Sequence, residues 1–233
     1  MPKSSTTERL LAVYDRLLDR YGPQAWWPAR SPFEVMVGAI LTQAAAWSNV
    51  GKAIANLDAA DALTPEAIRR LSASELARLV YPSGYYNAKA RKLKALAEFL
   101  GDRYSDDIDA MARGQTADLR TELLAVHGIG DETADDILLY ALQHPIFVVD
   151  AYTRRLLDRL GMLPESRSTY SACQAFFMDH LKPDVRMFNE CHALIVRHSV
   201  VHCKKRAECT GCVLLESCPA GQRKNAARAT SSS

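Results

Sequence analysis

The chain has 233 residues, 48% of them hydrophobic, and a formal net charge of +2. This length and composition can bury one large core or two small ones. No apolar run reaches membrane-spanning length and the first residues carry no apolar signal region, so we expect a cytoplasmic protein with no membrane partner. The small net charge does not by itself identify a nucleic-acid partner, although basic residues gather after Cys203.

Apolar periodicity predicts an almost wholly helical chain. A first helix spans Thr6 to Tyr21 and ends at Gly22-Pro23, and a short helix at 33–41 is apolar on most sides. Further helices are predicted at 48–57, 65–71, 74–80, 87–104, 168–181 and 184–199. The strand-like run at 146–149 is too short to found a sheet. The small, polar and basic segment 221–233 is predicted to be disordered.

A glycine-bearing turn joins two predicted helices in the middle of the chain. Thr116 is the predicted N-cap of the first helix. Gly128 and Gly130 interrupt the helical pattern, and we expect both to take positive φ angles. Such a turn exposes backbone N–H groups beside a helix N-terminus and can hold a phosphate without reading sequence. From the glycines alone, an ordinary αα-hairpin is the favoured interpretation.

Asp150 follows the apolar pair Val148-Val149 and opens the next helix. Taken alone, this carboxylate is interpreted as a helix cap. Together, VHGIGDETADDILLYA and VVDAYTRRLLDRLG resemble the helix-hairpin-helix superfamily of DNA glycosylases, the relatives of endonuclease III. The resemblance implies an all-α fold of two helical lobes with a DNA-binding cleft between them. We expect a monomer that binds double-stranded DNA containing damaged bases.

The resemblance also implies domain bounds and residue roles. The middle lobe is 30–143 with the hairpin motif at 117–143, and the second lobe is 1–29 plus 144–220. Asp150 is implied to act at the sugar of a flipped-out nucleotide, and Gln43 to enter the gap left by the flipped base. The hairpin residues implied to grip the DNA phosphate are His127, Gly128, Ile129 and Gly130.

Four cysteines near the end of the chain have the pattern C-x5-C-x2-C-x5-C: Cys203, Cys209, Cys212 and Cys218. In a reducing compartment this density indicates a metal rather than disulfides. The spacing leaves tetrahedral zinc and a 4Fe–4S cluster open. The resemblance implies the 4Fe–4S cluster, because endonuclease III carries a four-cysteine iron–sulfur loop here, at 203–218, although its first spacing is one residue longer.

Three basic residues lie inside this loop, namely Lys204, Lys205 and Arg206. Beside a closed metal loop they are suited to neutralise phosphates of the DNA backbone. The alternative interpretation is an ordinary solvated surface. We favour the DNA contact.

One position departs from the bifunctional members of the family. In those enzymes a lysine early in the second hairpin helix attacks the sugar as an amine nucleophile. Here that position is Glu132, and the hairpin from Val126 to Tyr140 contains no lysine. A carboxylate cannot form an imine, so we predict a monofunctional enzyme in which water attacks.

All three tryptophans lie in two short segments near the start of the middle lobe. Taken alone, these tryptophans are explained equally well as core or rim residues. WWP followed by LTQ-x-x-x-aromatic resembles the endonuclease III-like 3-methyladenine glycosylases, whose pocket stacks the base between such rings. The implied base pocket consists of Trp26, Trp27, Pro28 and Trp47.

Stacked indoles prefer a cationic alkylated purine to a neutral base by about 0.5–2 kcal/mol. We therefore predict excision of alkylated purines such as 3-methyladenine. The alternatives are an oxidised-pyrimidine glycosylase with weak lyase activity and a catalytically idle DNA-binding module. The idle module would need neither the tryptophans nor Asp150.

Overall fold

The computed structural model describes residues 5–163 and 169–231. Within them the chain is helical and holds no strand, so the predicted all-α class is confirmed. It divides into two compact units, a central unit of Trp27–Ile146 and a terminal unit of Met1–Trp26 with Phe147–Ser233. No helix in the described part of the chain is both long and apolar enough to cross a membrane.

Thirteen α-helices are described in residues 5–163 and 169–231. They are α1 Thr6–Tyr21, α2 Pro32–Leu41, α3 Trp47–Ala59, α4 Pro65–Arg70, α5 Ala73–Leu79, α6 Tyr86–Tyr104, α7 Ile108–Ala112, α8 Thr116–Ala125, α9 Asp131–Asp136, α10 Ala151–Arg159, α11 Tyr170–Met178, α12 Val185–Val201 and α13 Pro219–Ser231. A π-helical segment, Ile137–Ala141, continues α9.

The central unit is built around α2. Pro32 occupies its first turn and Ser31 caps it by accepting a hydrogen bond from the backbone N–H of Glu34. The helix is buried almost all round and packs against α3, α6, α9 and the π-helical segment. Full burial of side chains such as Met36 and Ile40 contributes about 1.5–3 kcal/mol each.

A buried ammonium group fixes the C-terminus of α2. Lys89 on α6 donates hydrogen bonds from Nζ to the carbonyl oxygens of Leu41 (2.8 Å) and Ser83 (2.6 Å). The side chain is almost fully buried, and burial lowers its pKa to about 8. A cation at this end of a helix satisfies a carbonyl that has no partner within the helix. The contact therefore holds the loop that follows α2, which carries Gln43.

In the terminal unit, α12 packs against both α1 and α10. Helix α1 begins with a capping box formed by Ser5 and Glu8. Phe147, which leads into α10, stacks on Phe177 of α11 at 3.8 Å between ring centroids. It also meets Phe188 of α12 edge-to-face at 5.5 Å. These rings anchor the segment that precedes Asp150.

The strand-like run 146–149, predicted to be too short for a sheet, is an irregular connection into α10, and the described residues contain no strand. Two other points differ from the sequence analysis. The tail predicted to be disordered from residue 221 is helical in α13 up to Ser231, because its alanines favour helix and Pro219 suits a first helical turn. Helix α7 was not predicted. Residues 232 and 233 of the tail, and Ser168 at the predicted start of α11, lie outside the described residues.

Candidate functional site

The turn between α8 and α9 uses its two glycines differently. Gly128 takes the expected positive φ of +84°, and a Cβ there would lie 2.3 Å from Cγ of Lys92. Gly130, expected to have positive φ, is extended at φ −104° and ψ −177°. A Cβ built on Gly130 meets no atom within 4 Å. The protein's own packing therefore requires glycine at residue 128 only, while the backbone at residue 130 stays open to a close approach from outside.

Exposure differs among the four hairpin residues predicted to contact DNA. The side chain of His127 is exposed and that of Ile129 is buried, so Ile129 can contribute only its backbone to an external contact.

Thr116, predicted as the N-cap of α8, is instead the first residue of that helix. The N-cap is Gln115, whose side chain makes no capping hydrogen bond. The Thr116 hydroxyl lies 2.8 Å from Nδ1 of His144, whose Nε2 lies 3.1 Å from the carbonyl oxygen of Ala112. Since a carbonyl only accepts, Nε2 donates and Nδ1 accepts from the hydroxyl.

An ion-pair network joins the two helices of the hairpin. Arg120 on α8 donates from Nε to Asp135 (2.8 Å) and from Nη2 to Asp131 (2.7 Å), both on α9. The carboxylate of Asp135 is fully buried. These carboxylates, Asp135 first, raise the pKa of the Arg120 guanidinium above its usual value. The network holds the hairpin in one geometry.

Gln43 is bound to this hairpin rather than projecting freely. Its Nε2 donates to the carbonyl oxygen of Gly128 (3.1 Å) and to Oγ1 of Thr133 (2.8 Å). Its Oε1 accepts from Nζ of Lys92 at 2.5 Å. Entry of this side chain into DNA, as predicted, thus requires the release of three hydrogen bonds.

Trp27 and Trp47 come together in the central unit, but not as parallel rings. Their centroids are 5.4 Å apart and their planes meet at 81°. A base stacked between two rings needs parallel faces about 7 Å apart, twice the usual contact distance of ~3.5 Å. Trp27 and Trp47 therefore do not form the predicted sandwich with each other in this structure. Pro28 is exposed, and Trp26, which is half-buried, belongs to the terminal unit.

A third aromatic ring completes this cluster and was missed from the sequence. Tyr140 lies 5.4 Å from Trp27 with an interplanar angle of 58°. It sits in the π-helical segment, a rare distortion often found at functional sites. On another side, Trp27 covers Gly38, where a Cβ would lie 2.9 Å from the indole. Trp27, Trp47 and Tyr140 are hereafter called the aromatic cluster.

Asp150 is the N-cap of α10 and is nearly buried. Its Oδ1 accepts a hydrogen bond from the backbone N–H of Thr153 at 2.7 Å. Its Oδ2 lies 3.7 Å from Nε2 of His192 on α12, a charge contact too long for a direct hydrogen bond. Burial raises the pKa of Asp150, but His192 and the Thr153 N–H together lower it more, and the net shift is downward. The carboxylate therefore stays ionised at neutral pH.

The four loop cysteines line one cavity of about 390 Å³. A single zinc ion needs four sulfurs at about 2.3 Å from one point. Among residues 5–163 and 169–231, no three histidine, cysteine or acidic side chains converge in this way. Four thiols that line one cavity are a donor set that either a metal ion or an iron–sulfur cluster can use.

Donors to the cysteine sulfurs surround the same cavity. Nη1 of Arg159 lies 3.1 Å from Sγ of Cys203, and the backbone N–H of Gly221 donates to Sγ of Cys218 at 3.3 Å. Hydrogen bonds to sulfur stabilise thiolate ligands. The nearby Lys204, Lys205 and Arg206 are all exposed, and Lys204 pairs with Glu208 at 2.9 Å.

A helical hairpin followed by a nearly buried aspartate at a helix start defines the class of helix-hairpin-helix DNA glycosylase folds. A family model described as the HhH-GPD superfamily of base excision DNA repair proteins matches residues 37–183. The chain belongs to this superfamily.

Individual relatives agree with this family. A candidate DNA repair glycosylase of Methanocaldococcus jannaschii is 43% identical over 217 residues, covering 93% of this chain and 98% of that protein. The crystal structure of an H. pylori 3-methyladenine DNA glycosylase bound to 1,N6-ethenoadenine is 30% identical, with a TM-score of 0.72, covering 84% of this chain and 98% of that one. A trapped endonuclease III–DNA covalent intermediate shares the fold, with a TM-score of 0.81 at 22% identity over 95% of this chain and 99% of that one.

Proposed function

We propose that this DNA glycosylase is monofunctional and excises alkylated purines such as 3-methyladenine from double-stranded DNA. The observation that carries the proposal is the aromatic cluster, in which two indoles and a phenol ring come together in the central unit. The electron-rich faces of such rings attract a base that alkylation has made cationic. The similarity to the H. pylori 3-methyladenine DNA glycosylase supports the same substrate class. Trp47 must turn its face toward the incoming base.

The proposed reaction needs no amine nucleophile. Glu132 is exposed where bifunctional relatives carry a lysine. As the bond between C1′ and the base nitrogen breaks, the bonding electrons neutralise the cationic base, which leaves. A water oxygen then bonds to C1′ and gives its proton to solvent. The ionised Asp150 stabilises the positive charge that develops on the sugar.

DNA is proposed to bind as the duplex, to a monomer, through two backbone contacts. The hairpin from His127 to Gly130 receives one phosphate, supported by the open backbone at Gly130. The basic residues Lys204, Lys205 and Arg206 neutralise others.

A screen of single lesions tests this function. Purified protein is incubated with duplexes that each contain one defined lesion: 3-methyladenine, 1,N6-ethenoadenine, thymine glycol or none. We expect excision of the alkylated purines, with strand cleavage only after later alkali treatment. Excision of thymine glycol with strand cleavage would instead establish the oxidised-pyrimidine alternative, and binding without excision the idle module.

The cysteine loop is proposed to hold a 4Fe–4S cluster through Cys203, Cys209, Cys212 and Cys218. When bound, the cluster would close the loop and hold its basic residues in place. Purified protein is expected to be yellow-brown, with broad visible absorption and stoichiometric iron and sulfide. Cys209→Ser should lose this absorption, whereas Cys173→Ser should keep it, because Cys173 is a buried core residue outside the cavity. Stoichiometric zinc in a colourless protein would refute the cluster.

Trp47→Ala is expected to slow excision of 3-methyladenine by the equivalent of about 1–3 kcal/mol, the usual value of one base–aromatic stack. Affinity for an abasic-site duplex should change little, because no base is present to stack. Trp47→Phe, which keeps a ring, should recover much of the rate. Single-turnover kinetics and binding titrations measure both quantities. Equal losses on both duplexes would make Trp47 a general DNA contact instead.

A further inference from the structure

Helix α12 presents two side chains, one turn apart, to the segment that carries Asp150. Phe188 meets the Phe147 ring edge-to-face, and His192, four residues later, meets the same ring at 6.5 Å and 85°. Residues at this spacing share one helix face. Only 6% of His192 is exposed, and α10 packs against α12. Packing therefore fixes the imidazole ring beside Asp150.

The two oxygens of Asp150 have different surroundings. The helix cap engages Oδ1 through the Thr153 N–H at 2.7 Å, while Oδ2 faces Nε2 of His192 at 3.7 Å. Asp150 is thus not only a cap. Oδ1 caps α10, and Oδ2 lies against the imidazole ring of His192 from α12.

The other titratable groups on the helices packed against this pair are either uncharged or bonded elsewhere. On α12, the thiol of Cys191 is buried, and burial raises its pKa to about 12, so it is protonated. On α11, the hydroxyl of Tyr170 accepts a hydrogen bond from the backbone N–H of Val149. On α13, which also packs against α10, Lys224 bonds to the carbonyl oxygen of Ala207.

We propose that His192 is a positioning residue for the glycosylase reaction, holding Oδ2 of Asp150 as an oriented carboxylate that faces the developing sugar cation. The proposal rests on the catalytic role given to Asp150 under the proposed function. His192 itself touches neither the sugar nor the base. It acts through the carboxylate alone.

The electrostatics of Asp150 agree with this geometry. Burial is the largest influence on its pKa and acts upward, whereas His192 is the first of the influences that act downward. Without the imidazole, only the interactions with Thr153 would oppose the upward effect of burial on the pKa of Asp150. The carboxylate should then protonate at a higher pH, and excision should fail earlier as the solution is acidified.

Two variants separate the ring nitrogens of the imidazole from its bulk. His192→Phe keeps an aromatic ring against Phe147 but removes both ring nitrogens. His192→Gln keeps an N–H donor at a similar reach but removes the basic group. If His192→Phe does not fold, His192→Gln still tests the proposal.

The primary measurement is the titration of the Asp150 carboxyl carbon by NMR, assigned with Asp150→Asn and requiring no substrate. We expect the carboxyl pKa to rise by about one unit or more in His192→Phe and by less in His192→Gln. In single-turnover excision of 3-methyladenine, the pH at which the rate falls to half of its neutral value should rise by the same amount as the carboxyl pKa in His192→Phe, because the ionised carboxylate carries the reaction.

The outcomes distinguish the two levels of inference. An unchanged carboxyl titration in both variants would overturn the role of His192, whatever the enzyme's substrate. The role of His192 would also be overturned if the carboxyl pKa shifted but the acid side of the pH–rate profile did not. Ionisation of the carboxylate would then not control the reaction. If the unaltered protein excises no alkylated purine, the proposed substrate fails, and the same pH comparison is made on the lesion that it does excise.

Discussion

Asp150→Asn is expected to lower the single-turnover rate of base excision by on the order of 10²–10⁴-fold, the range for loss of one positioned acid–base or charged group. The substitution keeps the size of the side chain and removes the negative charge that is proposed to stabilise the sugar cation. It also keeps the cap of α10, since an amide oxygen can accept from the Thr153 N–H as Oδ1 does now. Asparagine and aspartate are equally good at this position. Thermal stability should therefore change little.

Two further measurements separate the catalytic role of Asp150 from its role as a helix cap. Binding to an abasic-site duplex should be retained in Asp150→Asn. Asp150→Ala, which removes the cap as well, should lose about 0.5–2 kcal/mol of stability in addition to activity. An Asp150→Asn variant that excises at nearly the native rate would leave Asp150 as a helix cap only.

The pH dependence of excision follows from the lowered pKa of Asp150. A carboxylate whose folded-state pKa is depressed is ionised throughout the neutral range and protonates only below the usual range of aspartate. Its contribution to folding stability is present above the unfolded-state pKa and is lost as the pH falls through the folded-state pKa. Near neutral pH the ionisation of Asp150 should therefore not change the excision rate. The rate should decline only when the solution is acidic enough to protonate this carboxylate.

Local sequence signals predicted the helices and the turn at Gly128 well. Helix periodicity placed α1 and α2 within a residue of their observed bounds, because their apolar positions and caps are local features. The signal at Gly130 was overinterpreted. Glycine permits a positive φ but does not require one, and the sequence does not distinguish these two cases.

Contacts between distant residues could not be predicted in this way. His192 lies on a helix far along the chain from Asp150, and no local pattern marks it as a neighbour. Tyr140 contacts Trp27 from a π-helical segment, and no residue propensity predicts that segment. The orientation of Trp47 likewise depends on a distant contact, its edge-to-face packing on Trp27. The residue types of the aromatic cluster were therefore partly predictable, and its geometry was not.

Arg120→Ala is expected to reduce the free energy of unfolding of the central unit by about 3–5 kcal/mol, the cost of breaking a buried ion pair. The loss is large because Asp135 has no exposed side-chain surface, so its carboxylate would remain charged and buried without its guanidinium partner. Urea unfolding followed by tryptophan fluorescence reports on this unit, which contains Trp27 and Trp47.

The two carboxylates bound by Arg120 provide a matched comparison. Asp131 is half-exposed, so Asp131→Asn should cost only about 0–1 kcal/mol, as for a surface pair. Replacing both buried partners, in Arg120→Met with Asp135→Leu, should restore most of the stability lost in Arg120→Ala, because no uncompensated charge then remains. If the double variant regains its stability but still binds abasic-site DNA weakly, the ion pair fixes the geometry of the hairpin proposed to bind phosphate as well as its stability. If Arg120→Ala instead costs no more than Asp131→Asn, Asp135 is hydrated in solution and the hairpin is held together by its apolar contacts.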